Sequence, residues 1–238
     1  MSPAKASHTA RQRARAELTR EIREEARRQL AETGAPGLSL RAVARELGMV
    51  SSALYRYFPS RDDLLTALII DAYNALGAAA EAAIAADPGL SPRVRWLAAC
   101  HAIRAWALEN PHEYALIYGS PVPGYQAPEA TIGPASRVPL AFARLLSDAG
   151  AAGTLRAGDG PALDGALAAQ AGALATALAE SGAIGAPPDA LIRAIIAWTQ
   201  LFGMISFELF GQFVGSFDPA DAAFGYAVAQ LVTFVGLE

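Results

Sequence analysis

Residues 38–63 read LSLRAVARELGMVSSALYRYFPSRDD, and this stretch decides the fold. Leu40, Val43, Ala44 and Leu47 fall at i, i+3, i+4 and i+7, one apolar stripe on a helix expected over about Ser39–Leu47. Ser39 is placed to cap that helix. Gly48 follows the last apolar position, where a left-handed residue usually sits. A second, shorter pattern covers about Ser51–Phe58. Leu54 and Phe58 share one face there, while Ser52, Ala53, Arg56 and, at the edge, Tyr57 point elsewhere. So short a helix is not stable alone and must lean on its neighbours. Two helices joined by a Gly-bearing turn match a helix-turn-helix, whose second helix can enter a DNA major groove.

The flanks extend the pattern. Leu18, Ile22, Ala26 and Leu30 recur every four residues, predicting a first helix over about Arg13–Thr33 that ends at Gly34, Pro36 and Gly37. Its Glu and Arg runs read as a solvated face. Residues 1 to about 12 are expected to form a disordered basic tail, with Lys5 and Arg11, and Arg13 at its edge, near DNA phosphates or simply inert. Downstream, Pro59 stops the second short helix. Ser60 to Asp63 forms a capping box that opens a long helix reaching towards Ala86. That helix leaves the paired helices for the rest of the chain, which makes it the natural lever between the two.

The charge is uneven. Residues 1–70 hold 12 Lys and Arg against 8 Asp and Glu, a net of +4, whereas residues 71–238 hold 7 against 15, a net of -8. A basic head on an acidic body suits a head that meets phosphate. At 53% hydrophobic and 18% charged the chain is globular, and its Ala-rich, strand-poor pattern predicts an all-α fold. Cys100 is the only cysteine, which excludes an internal disulfide and fits a reducing cytoplasm. No apolar stretch follows the basic N-terminal residues, so no signal peptide is expected. The apolar run Ala190–Val214 carries Arg193, Gln200, Glu208 and Gln212, which favours a buried bundle helix over a membrane span.

Further helices are expected from Pro92 to Glu109, after Asn110 through Tyr118, over about Pro139–Ala149, Pro161–Ser181, Asp189–Phe213 and Asp218–Val235. Between them, Gly119–Pro139 holds five prolines and reads as a long irregular connection, either a functional loop or a plain surface excursion. The last two helices carry more apolar surface than one inner face needs. A symmetric homodimer built as a four-helix bundle accounts for this.

Over residues 38–65 the sequence resembles the TetR family of bacterial transcriptional regulators. Gly48, Leu54-Tyr55-Arg56-Tyr57-Phe58 and Arg61 match the family's turn, recognition helix and following basic residue, with Met49 where Val is common. Ala197-Trp198-Thr199-Gln200-Leu201-Phe202-Gly203 also resembles a C-terminal subgroup marked by Trp, His and Gly, with Phe202 where that subgroup has His. The resemblance implies an all-α fold: a three-helix DNA-binding head over residues 13–60, then a larger helical domain over 61–238 for effector binding and dimerisation. It implies DNA contacts by Ser39, Arg41, Ser51, Ser52, Ala53, Tyr55, Arg56, Tyr57 and Arg61. Arg41 can meet guanine with two hydrogen bonds. Small residues at the recognition-helix start let the backbone approach phosphate, and Ala53 can pack only on a thymine methyl. Arg61 is expected to clamp a phosphate. Tyr55 and Tyr57 can reach phosphate or base edges.

The body shows no catalytic set. His8, His101 and His112 do not form a metal-ligand spacing, and no nucleotide loop or CxxC is present, so neither an enzyme nor a cofactor nor a metal is expected. What it offers is aromatic bulk with a few polar groups. His101, Trp106, Tyr114, Tyr118, Trp198, Phe202 and Glu208 are candidates for a largely apolar ligand pocket, each with core packing or a structural hydrogen bond as the plainer role. The implied protein is a repressor that reads a palindromic double-stranded operator as a homodimer and is released by a small molecule. An activator or effector-independent regulator stays open. So, in another class, does a helical ligand-binding protein or enzyme that does not act on DNA.

Overall fold

The computed structural model describes residues 3–158, 160–182 and 184–238, with side chains from residue 11 onward. Ten α-helices make up these residues: α1 (Pro3–Gly37), α2 (Leu40–Glu46), α3 (Ser51–Leu54), α4 (Arg61–Ala85), α5 (Pro92–Glu109), α6 (Pro111–Tyr118), α7 (Ile132–Ala151), α8 (Gly165–Glu180), α9 (Pro188–Leu209) and α10 (Asp221–Val235). No strand is present among the described residues beyond one isolated bridge between Leu155 and Leu237. The protein is all-α.

Helix α1 starts at Pro3, where the sequence reading has an irregular tail over residues 1–12. Ala4, Lys5, Ala6 and Ala10 are helix formers and no breaker follows Pro3, so the helix propagates backwards from its packed part. The expected phosphate contact of Lys5 lies outside the described side chains, whereas Arg11 and Arg13 are exposed. At the other end Gly34 adopts φ 68°, a left-handed conformation that interrupts α1 where the sequence places its stop.

The chain divides into two compact units. One holds the chain up to Tyr73 together with Asn110–Ile132, and the other holds Asn74–Glu109 and Gly133–Glu238. This differs from a cut at residue 60. Ile22, Ala26, Leu38, Leu40, Val43, Leu54, Phe58, Leu64, Leu65 and Leu68 form one buried core, so the first turns of α4 belong to the head. Leu116 and Ile117 of α6, and Val122 and Tyr125 beyond it, pack against the same core. The Tyr125 hydroxyl also lies 2.9 Å from the Thr66 hydroxyl.

The proline-rich connection is shorter than the sequence implies. It ends at a 3-10 turn over Glu129–Thr131, and α7 then runs through both Pro134 and Pro139. Pro134 sits in the first turn, where its missing N–H leaves no bond unmade. Pro139 lies in the helix interior at a cost that the buried row Val138, Phe142, Leu145 and Leu146 offsets.

In the second unit Trp96 of α5 stacks on Phe142 of α7, ring centroids 4.1 Å apart, with Ile103, Phe224, Val228 and Val232 also buried. Arg137 lies across α4, donating to the Glu81 carboxylate at 2.9 and 2.6 Å and to the Asn74 carbonyl at 2.7 Å. Gly77 makes room for it, because a Cβ there would come within 2.7 Å of the Arg137 side chain. Helices α4 and α9 are long and apolar enough to cross a membrane by length and composition, yet α9 commits Arg193 and Glu208 to ion pairs within the unit.

Candidate nucleic-acid interface

The helix-turn-helix is built by local rules. The Ser39 hydroxyl accepts the Ala42 N–H at 3.4 Å and so caps α2. Gly48 turns the chain with φ 64°, and the Met49 N–H closes the turn on the Ala44 carbonyl at 2.8 Å. Helix α3 then makes a single turn, Ser51–Leu54, and continues as turns through Tyr57 rather than as a helix to Phe58. Pro59 cannot continue it, and no glycine closes its end.

Burial separates the two faces of this segment. Leu54 and Phe58 are buried in the head core. Arg41, Ser52, Tyr55 and Arg56 are exposed, Tyr55 to 42%, while Ser51, Ala53 and Tyr57 are half-buried. Tyr57 packs partly on the core. The structure therefore brings Arg41, Ser52, Tyr55 and Arg56 to the surface of one two-helix element.

Arg61 is engaged inside the chain. Its Nη2 donates to the Ala35 carbonyl at 2.6 Å and its Nε to the Leu38 carbonyl at 3.2 Å, while Nη1 faces Asp62 at 3.4 Å. The Ala35 carbonyl lies in the end of α1 beyond the break at Gly34, and the Leu38 carbonyl lies in the link to α2. A guanidinium placed in this way holds the entry to α2.

Two arrangements left no trace in the sequence reading. Arg15 of α1 donates to the Arg56 carbonyl at 3.2 Å, and its guanidinium lies 5.1 Å from the centre of the Tyr57 ring. The Glu and Arg run of α1 is also more than a solvated face. Asp71 of α4 accepts from Arg23 at 3.0 Å and from Arg27 at 2.8 Å, and Arg27 also donates to Glu113 of α6 at 3.0 Å. An open cleft of about 500 Å³ runs along this side, lined by Gln12, Arg15, Thr19, Arg23 and Arg27 among others. Both arrangements join residues dozens of positions apart, and no spacing rule relates them.

The seven expected pocket residues are divided between the two units. Tyr114 and Tyr118 lie in the head unit, with Tyr118 edge-on to Tyr73 at 6.1 Å. Burial pushes the Tyr118 phenol well above its ordinary range, with the neighbouring Tyr73 and Tyr114 adding to the shift. The other five lie in the second unit. His101 is exposed, its ring edge-on to Phe224 at 5.4 Å. Glu208 has a structural partner: Arg104 donates to its carboxylate at 2.7 and 2.5 Å, reaches Asp221 at 3.0 Å and lies over the Phe224 ring at 5.0 Å. Trp106 is half-buried on α5. Trp198 and Phe202 meet edge to face at 5.7 Å, and the Trp198 indole N–H is buried without an acceptor among the described residues. Neither the cleft along α1 nor a smaller one of about 340 Å³ at Arg93, Arg156 and Glu238 contains any of the seven.

Comparison with known proteins agrees with this geometry. Residues 22–68 match the family described as bacterial regulatory proteins, tetR family. Residues 96–231 match that described as tetracyclin repressor-like, C-terminal domain. The chain is 42% identical over 201 residues to the HTH-type transcriptional regulator Rv1816 of Mycobacterium tuberculosis, covering 84% of each. Mb1846 of Mycobacterium bovis, also an HTH-type transcriptional regulator, matches to the same extent. The solved structure of SCO4313, described as a regulatory protein, superposes with a TM-score of 0.70 at 36% identity, over 93% of this chain and 98% of that one. The helix-turn-helix, the helical body and these matches over both together identify the chain as a DNA-binding transcriptional regulator of the TetR family.

Proposed function

We propose that the protein is a repressor that holds a palindromic operator as a homodimer and leaves it when a small, largely apolar molecule binds the body. The observation that carries the DNA half is the surface made by Arg41, Ser52, Tyr55 and Arg56 beside the buried Leu54 and Phe58. In this reading Arg41 meets a guanine edge, Tyr55 and Arg56 enter the groove, and Ser51, Ala53 and Tyr57 line its approach. Ser39 and Arg61 hold α2 in place. Two such surfaces one helical turn of DNA apart read a palindrome.

The dimer is supported by apolar side chains left uncovered on the last two helices. Ile195, Ile196 and Phe207 of α9 are each more than 40% exposed, as are Tyr226 and Phe234 of α10. A second copy packing these helices as a four-helix bundle would cover them. The effector half draws support from Trp198, whose buried N–H is free for an acceptor on an otherwise apolar ligand. Such a ligand releases the operator only by binding the DNA-free conformation more tightly. The working compartment is the cytoplasm, and neither an enzyme activity nor a resident cofactor belongs to this reading.

One experiment tests it. Fluorescence-anisotropy titration of a labelled duplex from upstream of the protein's own gene should give tight, salt-dependent binding. Arg41→Ala should cost about 1–3 kcal/mol on that site and relax its sequence preference. Absence of binding, or an Arg41→Ala variant with unchanged preference, would refute the DNA half. Tight binding that no apolar compound in a screen weakens would refute the effector half and favour an effector-independent regulator.

A further inference from the structure

The DNA-reading turn is weakly built by its own sequence. Helix α3 has four residues, Ser51–Leu54, with no side chain capping its start and no glycine closing its end. A helix of one turn has almost no stability of its own. The orientation of Tyr55, Arg56 and Tyr57 must therefore be set from outside. Part of that support is the burial of Leu54 and Phe58. Backbone bonds inside the turn, from the Tyr57 and Phe58 N–H groups to the Leu54 carbonyl at 2.8 and 3.1 Å, fix its internal shape and leave the Arg56 carbonyl facing outward from it.

A further tie, to an element outside the turn, comes from α1. Arg15 donates to the carbonyl of Arg56 at 3.2 Å, and the same guanidinium lies 5.1 Å from the centre of the Tyr57 ring. A cation at the C-terminal end of a helical turn satisfies an orphan carbonyl and favours the local dipole. Stacking on a tyrosine face adds attraction and uses the planar side of the guanidinium. One side chain thus fixes the backbone from which Arg56 projects and the ring next to it. Its anchor is itself held, because Arg15 sits in the continuous helix that buries Ile22 and Ala26 in the head core. Arg15 also lies outside residues 22–68, the segment matched to the family, so this tie belongs to the N-terminal extension of α1.

We propose that Arg15 is a positioning residue for operator recognition, acting through the Arg56 carbonyl and the Tyr57 ring and not by contacting DNA itself. The proposal rests on the reading that the α3 turn faces DNA. Its signature differs from that of a phosphate contact. A lost phosphate contact weakens all duplexes alike and lowers the salt slope by about 0.9. A misplaced reading turn weakens the specific site and leaves the electrostatic binding of any duplex in place.

The test uses the full chain, a labelled duplex carrying the palindrome footprinted upstream of its own gene, and a scrambled duplex of the same composition. Arg15→Ala should bind the palindrome about tenfold more weakly, as expected for losing one hydrogen bond and one cation–π contact. Its affinity for the scrambled duplex and its salt slope should stay those of the wild type. In the DNA-free protein the Tyr57 ring resonances should shift. Arg15→Lys keeps the charge without the planar fork, so it should remain weaker than wild type on the palindrome; it carries the test should the alanine variant fail to fold. Equal losses on both duplexes with a reduced salt slope, or full rescue by lysine, would overturn the proposal in favour of a direct phosphate contact. An Arg15→Ala protein indistinguishable from wild type would overturn it outright. Failure of the underlying interface reading looks different: Arg41→Ala and Arg56→Ala would then leave palindrome affinity intact in the same titration.

Discussion

Replacing Arg61 by alanine separates a structural role from a DNA-binding one. The side chain donates to the Ala35 carbonyl at 2.6 Å and the Leu38 carbonyl at 3.2 Å, and it remains about a third exposed. A hydrogen bond from a charged donor contributes about 1.5–3 kcal/mol when sheltered. Two such bonds, each roughly halved for solvent competition, give about 2 kcal/mol of head stability. Leu38 is itself buried, so its carbonyl has poor access to water once the guanidinium is gone. Arg61→Ala should therefore lower stability by about 2 kcal/mol in urea denaturation followed by circular dichroism. Arg61→Lys should fall between the two, because one ammonium does not reach both carbonyls as a planar fork does. With the protein kept folded, the salt slope of DNA binding should stay at the wild-type value. A variant as stable as wild type whose salt slope drops by about 0.9 would refute this reasoning and restore the phosphate contact.

The remaining predictions concern the body. Arg104→Ala leaves the part-buried Glu208 without its partner and should destabilise the chain by about 3 kcal/mol, while the double change Arg104→Met with Glu208→Leu should recover most of that loss in the same denaturation assay. The hydrogen bonds from Arg137 hold the Glu81 carboxyl below its usual range. Because that folded-state value is depressed, the stabilisation is complete above the ordinary carboxylate range and is lost as pH falls through the depressed value; Glu81→Gln should show a shallower loss of stability on acidification. Burial pushes the Cys100 thiol far above its ordinary range, so Cys100 should stay protonated and fail to react with a thiol reagent at neutral pH until the chain is unfolded.

Much of the head is legible in the sequence because its determinants are local. The stripe Leu40, Val43, Ala44 and Leu47, the left-handed glycines at 34 and 48, and the Ser60–Asp63 box each act within a few residues. The Ser60 cap is formed where the spacing places it, with the Asp63 N–H donating to the Ser60 hydroxyl at 3.1 Å and that hydroxyl donating to the Asp63 carboxylate at 2.7 Å. What pattern reading misses is the long-range use of arginine. Arg15 reaches residue 56, Arg23 and Arg27 reach Asp71 and Glu113, and Arg104 reaches Glu208 and Asp221. Charge spacing along one helix cannot tell such a side chain from a solvated one. The candidate pocket residues fall in both units for a related reason. Aromatic residues on several helices look alike in sequence, yet the chain assigns Tyr114 and Tyr118 to one compact unit and Trp198 and Phe202 to the other. The span of α7 was obscured by Pro134 and Pro139, whose tolerance depends on position in the helix and on what that helix buries.

The head's core draws on two stretches of chain that are far apart in sequence. Leu116, Ile117, Val122 and Tyr125 lie against the same apolar cluster as Leu54, Leu65 and Leu68. A fragment cut at residue 60, or anywhere before α6, would bare that cluster to water. A hybrid regulator made by joining this head to a foreign sensor at such a cut would inherit an unfinished fold. The transplantable unit is therefore a pair of segments, the chain to Tyr73 and Asn110–Ile132, and any exchange of sensors would have to preserve three junctions instead of one.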